Sequence, residues 1–338
     1  MDIHENFPLK NYHTFGIEVN CRYFADVTSV EQLQDLSATP LWKNVPKLIL
    51  GEGSNVLFSQ DFPGLVIKVS LKGIKKTDEN AEHVWIDAKA GENWHQLVMH
   101  CIQNQWAGIE NLSLIRGTVG AAPLQNIGAY GVELRDTFEK LMAIRIQDGK
   151  ICEFDHAGCH FGYRDSIFKN ACKNQYIILS VLLRLNKTPV FHTEYGAIKE
   201  TLAAMQVNAL SIQHISQAVI QIRQQKLPDP KKIGNAGSFF KSPIVSLETF
   251  LMIKDKYPNV PHFLDPEGQF KIPAGWLIEQ CGWKGHRAGD TGVHQHHALV
   301  LVNYGTSSGS EIKRLAEDIQ ASVKEKFSVN LVPEVNII

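Results

Sequence analysis

Lys47-Leu48-Ile49-Leu50-Gly51-Glu52-Gly53-Ser54-Asn55 is an apolar run that stops abruptly at a loop of small residues. The run reads as a strand, and a loop with so few side chains lets backbone N–H groups approach and cradle a phosphate. Its spacing excludes the two best-known loops of that kind. Val56 stands where a dinucleotide-fold fingerprint needs its third glycine, and no Gly-Lys-Ser/Thr follows, so neither a Rossmann turn nor a P-loop fits. A plain strand-to-strand turn is the other reading of the same residues. A second glycine-rich stretch bears on that choice: Gly117-Thr118-Val119-Gly120-Ala121-Ala122-Pro123, continuing through Gln125-Asn126-Ile127-Gly128-Ala129-Tyr130-Gly131, cannot be a regular helix or strand throughout. Two such loops beside apolar strands suit a large or pyrophosphate-containing ligand, because bulky side chains would block close backbone approach. Two ordinary turns remain the bland alternative.

Outward from these loops, Leu65–Val69, Leu141–Ile146, Lys150–Phe154 and Tyr176–Leu185 read as further strands. Helical spacing marks Gly91–Gln103, with Trp94, Leu97, Val98, Cys101 and Ile102 on one face and His95 and Gln96 on the exposed face. Ser211–Arg223 places Ile212, Ile215, Val219 and Ile222 on one stripe and is cut by Lys226-Leu227-Pro228-Asp229-Pro230, which marks a domain boundary. Beyond it come a loop Gly234–Phe240, a helix Ala274–Cys281 stopped by Gly282, and a strand His297–Asn303. A helix Glu311–Phe327 follows, with a Ser308-to-Glu311 capping box and Ile312, Leu315, Ile319 and Val323 inward; a terminal strand Val329–Ile338 carries Glu334. This mixed order predicts an α+β chain rather than a regular βαβ array.

At ~150 residues per domain, 338 residues suggest about two domains. Hydrophobic residues at 44% and charged residues at 20% exclude disorder as the main state. Lys+Arg at 34 against Asp+Glu at 35 leave a net charge of −1, which argues against nucleic-acid or membrane binding through bulk charge. Met1–Lys10 contains Asp2, Glu5 and Pro8, and no later stretch approaches ~18 uncharged apolar residues, so no membrane partner and a cytoplasmic location are expected. The six cysteines form no C-x-x-C pair, which disfavours a zinc ribbon, a thioredoxin-type site and a disulfide scaffold.

Three clusters invite chemistry. Phe161-Gly162-Tyr163-Arg164-Asp165-Ser166 sets an aromatic hydroxyl beside a guanidinium that can fork onto a carboxylate. Gly234-Asn235-Ala236-Gly237-Ser238-Phe239-Phe240 presents a serine hydroxyl in a small-residue loop flanked by two aromatics; Ala236 and Phe240 exclude a nucleophile elbow. His294, His296 and His297 near Asp290 suggest a metal, but strand alternation would put His294 and His296 on one face and His297 on the other, so no metal site is expected.

The wider set of blocks comprises Asn11–Ile17, Leu48–Leu57, Gly91–Trp94, Ile109–Leu112, Gln125–Gly131, Phe161–Phe168, Lys226–Pro230, Asn235–Lys241, Ala274–Ile278 and Pro333–Val335. In order and spacing these resemble the UDP-N-acetylenolpyruvoylglucosamine reductases, in the form that carries an extra tyrosine loop. The resemblance covers nearly the whole chain. It implies an FAD-binding domain of vanillyl-alcohol-oxidase type made of two α+β subdomains, 1–70 and 71–222. A C-terminal α+β substrate-binding domain, 223–328, and a C-terminal strand, 329–338, with Glu334 would follow. The implied activity is NADPH-dependent reduction of UDP-N-acetylglucosamine enolpyruvate through FAD in cell-wall precursor synthesis, by a monomer.

The same resemblance implies residue roles. Flavin contacts fall on Gly51, Glu52, Gly53, Ser54 and Asn55, and on Gly117, Thr118, Gly120, Ile127, Gly128, Tyr130 and Gly131. Ser238 matches the proton donor, Arg164 the carboxylate-binding arginine, and Glu334 its acidic partner, which can donate a hydrogen bond to developing charge if protonated. Tyr163 and Gln125 would face the substrate, Tyr195 matches the lid tyrosine, and Arg223 with Lys226 would meet the nucleotide. Phe263 stands where a second lid tyrosine is frequent, Ser242 where asparagine is common, Arg116 where proline is frequent, and Ala121-Ala122 where hydroxyl residues often occur. An FAD oxidase acting on an alcohol, or a non-catalytic flavin or nucleotide-sugar binder, would lack a use for Ser238, Arg164 and Glu334 together.

Overall fold

Apolar residues at two periods, alternate along strands and three-to-four apart along helices, organise this α+β chain around its sheets. The computed structural model describes residues 1–265 and 267–338. The chain forms two compact units, one from Met1–Phe7, Cys21–Glu52 and Pro63–Gln225, the other from Pro8–Asn20, Gly53–Phe62 and Lys226–Ile338. The units interleave along the chain.

The first unit has two sheets. One has the order Ile3–Pro8, Asn20–Val27, Phe62–Val69, Lys47–Leu50, with the last two strands parallel and Lys47 opposite Leu65. Its apolar side gathers Ala25, Val27, Leu65 and Ile67 with Leu33 and Leu36, the inward residues of a helix Val30–Ser37 whose first turn is capped by Ser29. The other sheet, with antiparallel pairing throughout, has the order Ile151–Asp155, Phe138–Arg145, Tyr176–Asn186, His83–Lys89, Ile74–Glu79. Along His83–Lys89 the alternate residues Val84, Ile86 and Ala88 are fully buried, as a half-buried strand requires.

Trp94, Leu97, Val98, Cys101 and Ile102 are the buried face of a helix Trp94–Gln103, which Asn93 caps by accepting from the Gln96 N–H. Gln96 is exposed, but His95 is half-buried and its Nδ1 accepts from the Leu114 N–H, which corrects its assignment to the solvent face. The stretch Gly117–Gly131 is irregular, as its composition predicts: a 3-10 turn Val119–Gln125 leads into a hairpin of Gly128–Ala129 and Val132–Glu133. The long helix runs Ile212–Lys226, past the expected end at Arg223, until Pro228 makes continuation unfavourable.

In the second unit an antiparallel sheet has the order Gly234–Ser238, Val300–Asn303, Thr291–Val293, Arg287–Ala288. The expected loop Gly234–Phe240 is therefore largely a strand. Its small residues answer to crowding, since a Cβ on Gly234 would lie 2.2 Å from the Phe15 carbonyl oxygen, and its register shifts around Gly237, whose φ is +72°. The three histidines also need correction. They occupy a tight turn, in which the His294 N–H donates to the Val300 oxygen and the His297 N–H to the His294 oxygen, and the strand begins only at Val300. Strand alternation does not govern them. The terminal strand shrinks to Asn336–Ile337, paired parallel to Val56–Leu57, so Glu334 precedes it. The helix Gly309–Phe327 carries both halves of the expected capping box and buries Ile312, Leu315, Ile319 and Val323. Among the described residues no helix is long and apolar enough to cross a membrane.

Candidate functional site

Within the first unit, Gly51 ends its strand against Thr118. A Cβ there would sit 2.4 Å from Thr118 Oγ1, so the glycine is required by the protein itself. The Glu52 carboxylate braces the second glycine stretch, with Oε2 accepting the Gly117 N–H at 3.0 Å and Oε1 accepting from Asn93 Nδ2. Thr118 and Ile127 are buried. Gly120 abuts Ala90, at 2.6 Å from a hypothetical Cβ to the Ala90 Cβ, whereas Gly131, at φ +83°, has open space on that side. Crowding by the Thr118 side chain and by Ala90 accounts for the first two glycines. Gly131 alone of these three leaves room for something else to approach.

Arg164 adopts a left-handed backbone, φ +52°, and turns its guanidinium onto the carbonyl oxygens of Gly128 and, at 3.5 Å, Asn126. Glu133 Oε1 lies 3.7 Å from it, and the Tyr163 ring lies 5.4 Å from its guanidinium carbon. Asn126 knits this corner: its amide nitrogen donates to Glu133 Oε2 and the Gly162 oxygen, and its amide oxygen accepts the Arg135 N–H. Sequence reasoning missed Glu133 and Asn126, because nothing local announces which carboxylate a distant arginine will meet. Gln125 accepts from Lys169 Nζ at 3.3 Å.

Tyr130, Tyr195 and Arg223 form a second cluster in the same unit. The two rings meet edge-on, with centroids 5.6 Å apart. Arg223 Nε donates to the Leu114 oxygen at 3.2 Å, and its guanidinium lies near the Tyr130 hydroxyl. Burial lowers the pKa of Arg223 and raises that of Tyr130, because water solvates neither charged form well there.

Within the second unit, Gly53 has φ +62°, and a Cβ on it would lie 2.3 Å from the Tyr12 oxygen; its own oxygen accepts the Thr14 N–H. The N–H groups of Gly53 and Ser54 donate to no acceptor among the described residues, which leaves two donors of a glycine loop for an anion. The Asn55 amide donates to the Glu334 carbonyl at 3.2 Å. The Glu334 N–H donates to the Phe239 carbonyl at 2.8 Å, directly after Ser238. Phe239 and Phe240, which follow the strand Gly234–Ser238, are buried, rings 5.1 Å apart. The Ser238 hydroxyl makes no hydrogen bond to the described residues. Three predicted residues, Asn55, Ser238 and Glu334, are thus gathered from three remote segments. Phe263 is half exposed on a different small sheet, with Lys271 Nζ 6.0 Å from its ring centroid, and Lys226 is exposed at a helix end. Ser242, one of the departures, has its hydroxyl 3.4 Å from the N–H of Ala274, the first residue of a helix.

Residues 22–155 match the family described as FAD binding domain, and residues 229–338 the family described as UDP-N-acetylenolpyruvoylglucosamine reductase, C-terminal domain. The chain is 55% identical to the UDP-N-acetylenolpyruvoylglucosamine reductase of Amoebophilus asiaticus and 48% identical to that of Flavobacterium johnsoniae, in each case over 100% of both chains. The crystal structure of UDP-N-acetylenolpyruvylglucosamine reductase from Thermus caldophilus superposes with a TM-score of 0.69 at 23% identity, covering 99% of this chain and 98% of that one.

Proposed function

The chain belongs to the UDP-N-acetylenolpyruvoylglucosamine reductase family, and from that premise we propose how its own residues divide the work. The protein is an FAD-containing oxidoreductase that reduces the enolpyruvyl ether of UDP-N-acetylglucosamine to the lactyl ether in peptidoglycan precursor synthesis. The flavin supplies hydride-transfer chemistry between NADPH and the enolpyruvyl double bond. The uncommitted N–H groups of Gly53 and Ser54 and the open side of Gly131 suit its pyrophosphate and ring. In the first unit Gly51, Glu52, Gly117, Thr118, Gly120, Ile127, Gly128 and Tyr130 are its further contacts, and in the second Asn55.

The balance of the reduction assigns the remaining roles. Hydride reaches the terminal vinyl carbon, negative charge develops on the ether-bearing carbon and its carboxylate, and a proton must then quench that carbon. Ser238 donates the proton and is reprotonated from solvent. A serine is a poor acid in water, so this step needs a strongly basic carbanion in a site with few waters. Arg164 holds the substrate carboxylate, with Tyr163 stacked on its guanidinium, and Gln125 is a further contact to that carboxylate. Glu334, in its protonated form, donates a hydrogen bond to the developing charge. Tyr195 covers the substrate, Arg223 and Lys226 meet the nucleotide, and Phe263 adds an apolar cover. Divided by ligand, segments 1–70 and 71–222 serve the flavin and 223–328 with 329–338 the substrate. A cytoplasmic monomer, acting in cell-wall biogenesis and so in cell shape and division, completes the proposal.

The observation that carries this reading is the uncommitted Ser238 hydroxyl on the strand to which Glu334 is pinned. The purified protein is expected to be yellow and to consume NADPH in step with added UDP-N-acetylglucosamine enolpyruvate. A colourless protein, or NADPH consumption indifferent to the sugar, overturns it.

A further inference from the structure

Asn111 is 1% exposed, in a 3-10 turn Glu110–Leu112, and none of the roles above uses it. Its amide nitrogen has two hydrogens, and both are committed: one to the Tyr130 carbonyl at 3.0 Å, the other to the His192 carbonyl at 2.9 Å. One side chain therefore ties the glycine stretch that ends in Tyr130 to the segment that leads into Tyr195. The rings of those two tyrosines meet edge-on, and Tyr195 caps the helix Gly196–Ala204, where its carbonyl accepts from Ile198 and Lys199. Tyr130 is further held at a left-handed φ of +51°, a conformation that a non-glycine residue keeps only when its surroundings impose it.

The turn that carries Asn111 is anchored without reference to either tyrosine. The Glu110 carboxylate accepts the Gly108 N–H, and the Ser113 hydroxyl shares a hydrogen bond with Ser216 of the long helix. Burial raises the Glu110 pKa, which marks how little water reaches this turn. Two carbonyls facing one group require a double donor. Aspartate has the same shape but only accepts, so at this buried position it would confront both oxygens with a third and a fourth. The amide oxygen of Asn111 is buried without a partner, so the donor side is the part the fold uses.

We propose that Asn111 is a positioning residue for Tyr195: it fixes the segment before that tyrosine against Tyr130 and so sets how the substrate is covered. The assignment rests on the function proposed above, and its test has one arm that does not. In hydrogen exchange of the FAD-loaded protein without substrate, Asn111→Asp and Asn111→Leu should speed exchange at Ile198 and Lys199 by about tenfold or more, with FAD content and exchange of the Tyr176–Asn186 strand unchanged. In turnover, both variants should raise the KM for the enolpyruvyl sugar by ~10- to 100-fold while kcat falls less than tenfold. In a Tyr195→Ala background, Asn111→Asp should add nothing further to KM. Unchanged exchange at Ile198 and Lys199 overturns the anchor. Altered exchange with additive KM effects in the double variant overturns the action through Tyr195. A parent protein that ignores the sugar overturns the functional reading and this role with it, while the exchange arm still reports whether the anchor exists.

Discussion

The N–H of Glu334 donates to the carbonyl oxygen of Phe239 at 2.8 Å, which seats a carboxylate-bearing residue one peptide unit from Ser238 although nearly a hundred residues separate them in the chain. The Lys241 N–H, donating to the Val332 oxygen, and the Asn55 amide, donating to the Glu334 oxygen, clamp the same terminal run from two sides. Three segments that share no local pattern thus meet along one strand edge.

Removing the serine hydroxyl isolates its role. Ser238→Ala should leave reduction of the flavin by NADPH nearly intact and slow reoxidation by the enolpyruvyl sugar by ~10²–10⁴-fold, the span of a positioned general acid. Stopped-flow absorbance separates the two half-reactions. Equal loss in both would make Ser238 a structural residue.

Arg164 grips the Asn126 and Gly128 carbonyls through a planar fork, a geometry that an ammonium cannot reproduce. Arg164→Lys should raise the KM for the enolpyruvyl sugar by ~10- to 100-fold at unchanged FAD content, since one forked contact to a carboxylate is worth a few kcal/mol. Steady-state kinetics with a flavin assay decide this, and an unaltered KM would remove Arg164 from substrate binding.

Gly51 tolerates no side chain beside Thr118. Gly51→Ala should destabilise the protein by ~1–3 kcal/mol through overpacking, seen as a lower Tm and reduced FAD retention. Thr118→Ala in the same chain removes the atom that is struck and should restore part of the loss. No recovery in the double variant would place the constraint elsewhere.

His297 supplies a pH dependence. Burial, with Lys226, His294 and Lys284 adding unfavourable positive charge, lowers its pKa from 6.5 to about 4. The folded state therefore holds the neutral ring, while the unfolded chain takes up a proton near pH 6.5. The stabilisation is present above pH 6.5 and is lost as pH falls through about 4, by up to about 3 kcal/mol. Urea unfolding at pH 7.5 and pH 4.5 should show a smaller drop in His297→Gln than in the parent, and an identical drop would refute the assignment.

At the Gly309–Phe327 helix, Ser308→Ala removes an acceptor for the Glu311 N–H and breaks the reciprocal cap. A loss of ~1 kcal/mol is expected by urea denaturation, with kinetics unchanged.

How much of this was legible follows from the range of each interaction. The strands at Leu65–Val69, Leu141–Ile146 and Tyr176–Leu185, the buried face of the Trp94 helix, and the Ser308 cap were readable because apolar runs, helical period and capping act within a few residues. The failures share the opposite cause. The histidine turn was read as a strand because backbone hydrogen bonds from His294 to Val300, His297 to His294 and Val300 to His297, not residue preference, bend it. The run Gly234–Ser238 was read as a loop because Gly234 answers to Phe15, far away in the chain, and Gly237 to a register shift at φ +72°.

The amino-acid sequence determined on its own the α+β class and the two glycine stretches that rule out a Rossmann or P-loop cradle, since residue type and short spacing carry that information, whereas Ser238, Arg164 and Glu334 came only from the resemblance of whole blocks to a known family. Tertiary structure alone decided that Glu133 would brace Arg164, that Asn111 would join Tyr130 to His192, and that Glu334 would hang from Phe239. Each is a partnership between remote segments, and a buried polar group accepts whichever partner the packed chain delivers to it, which no local pattern encodes.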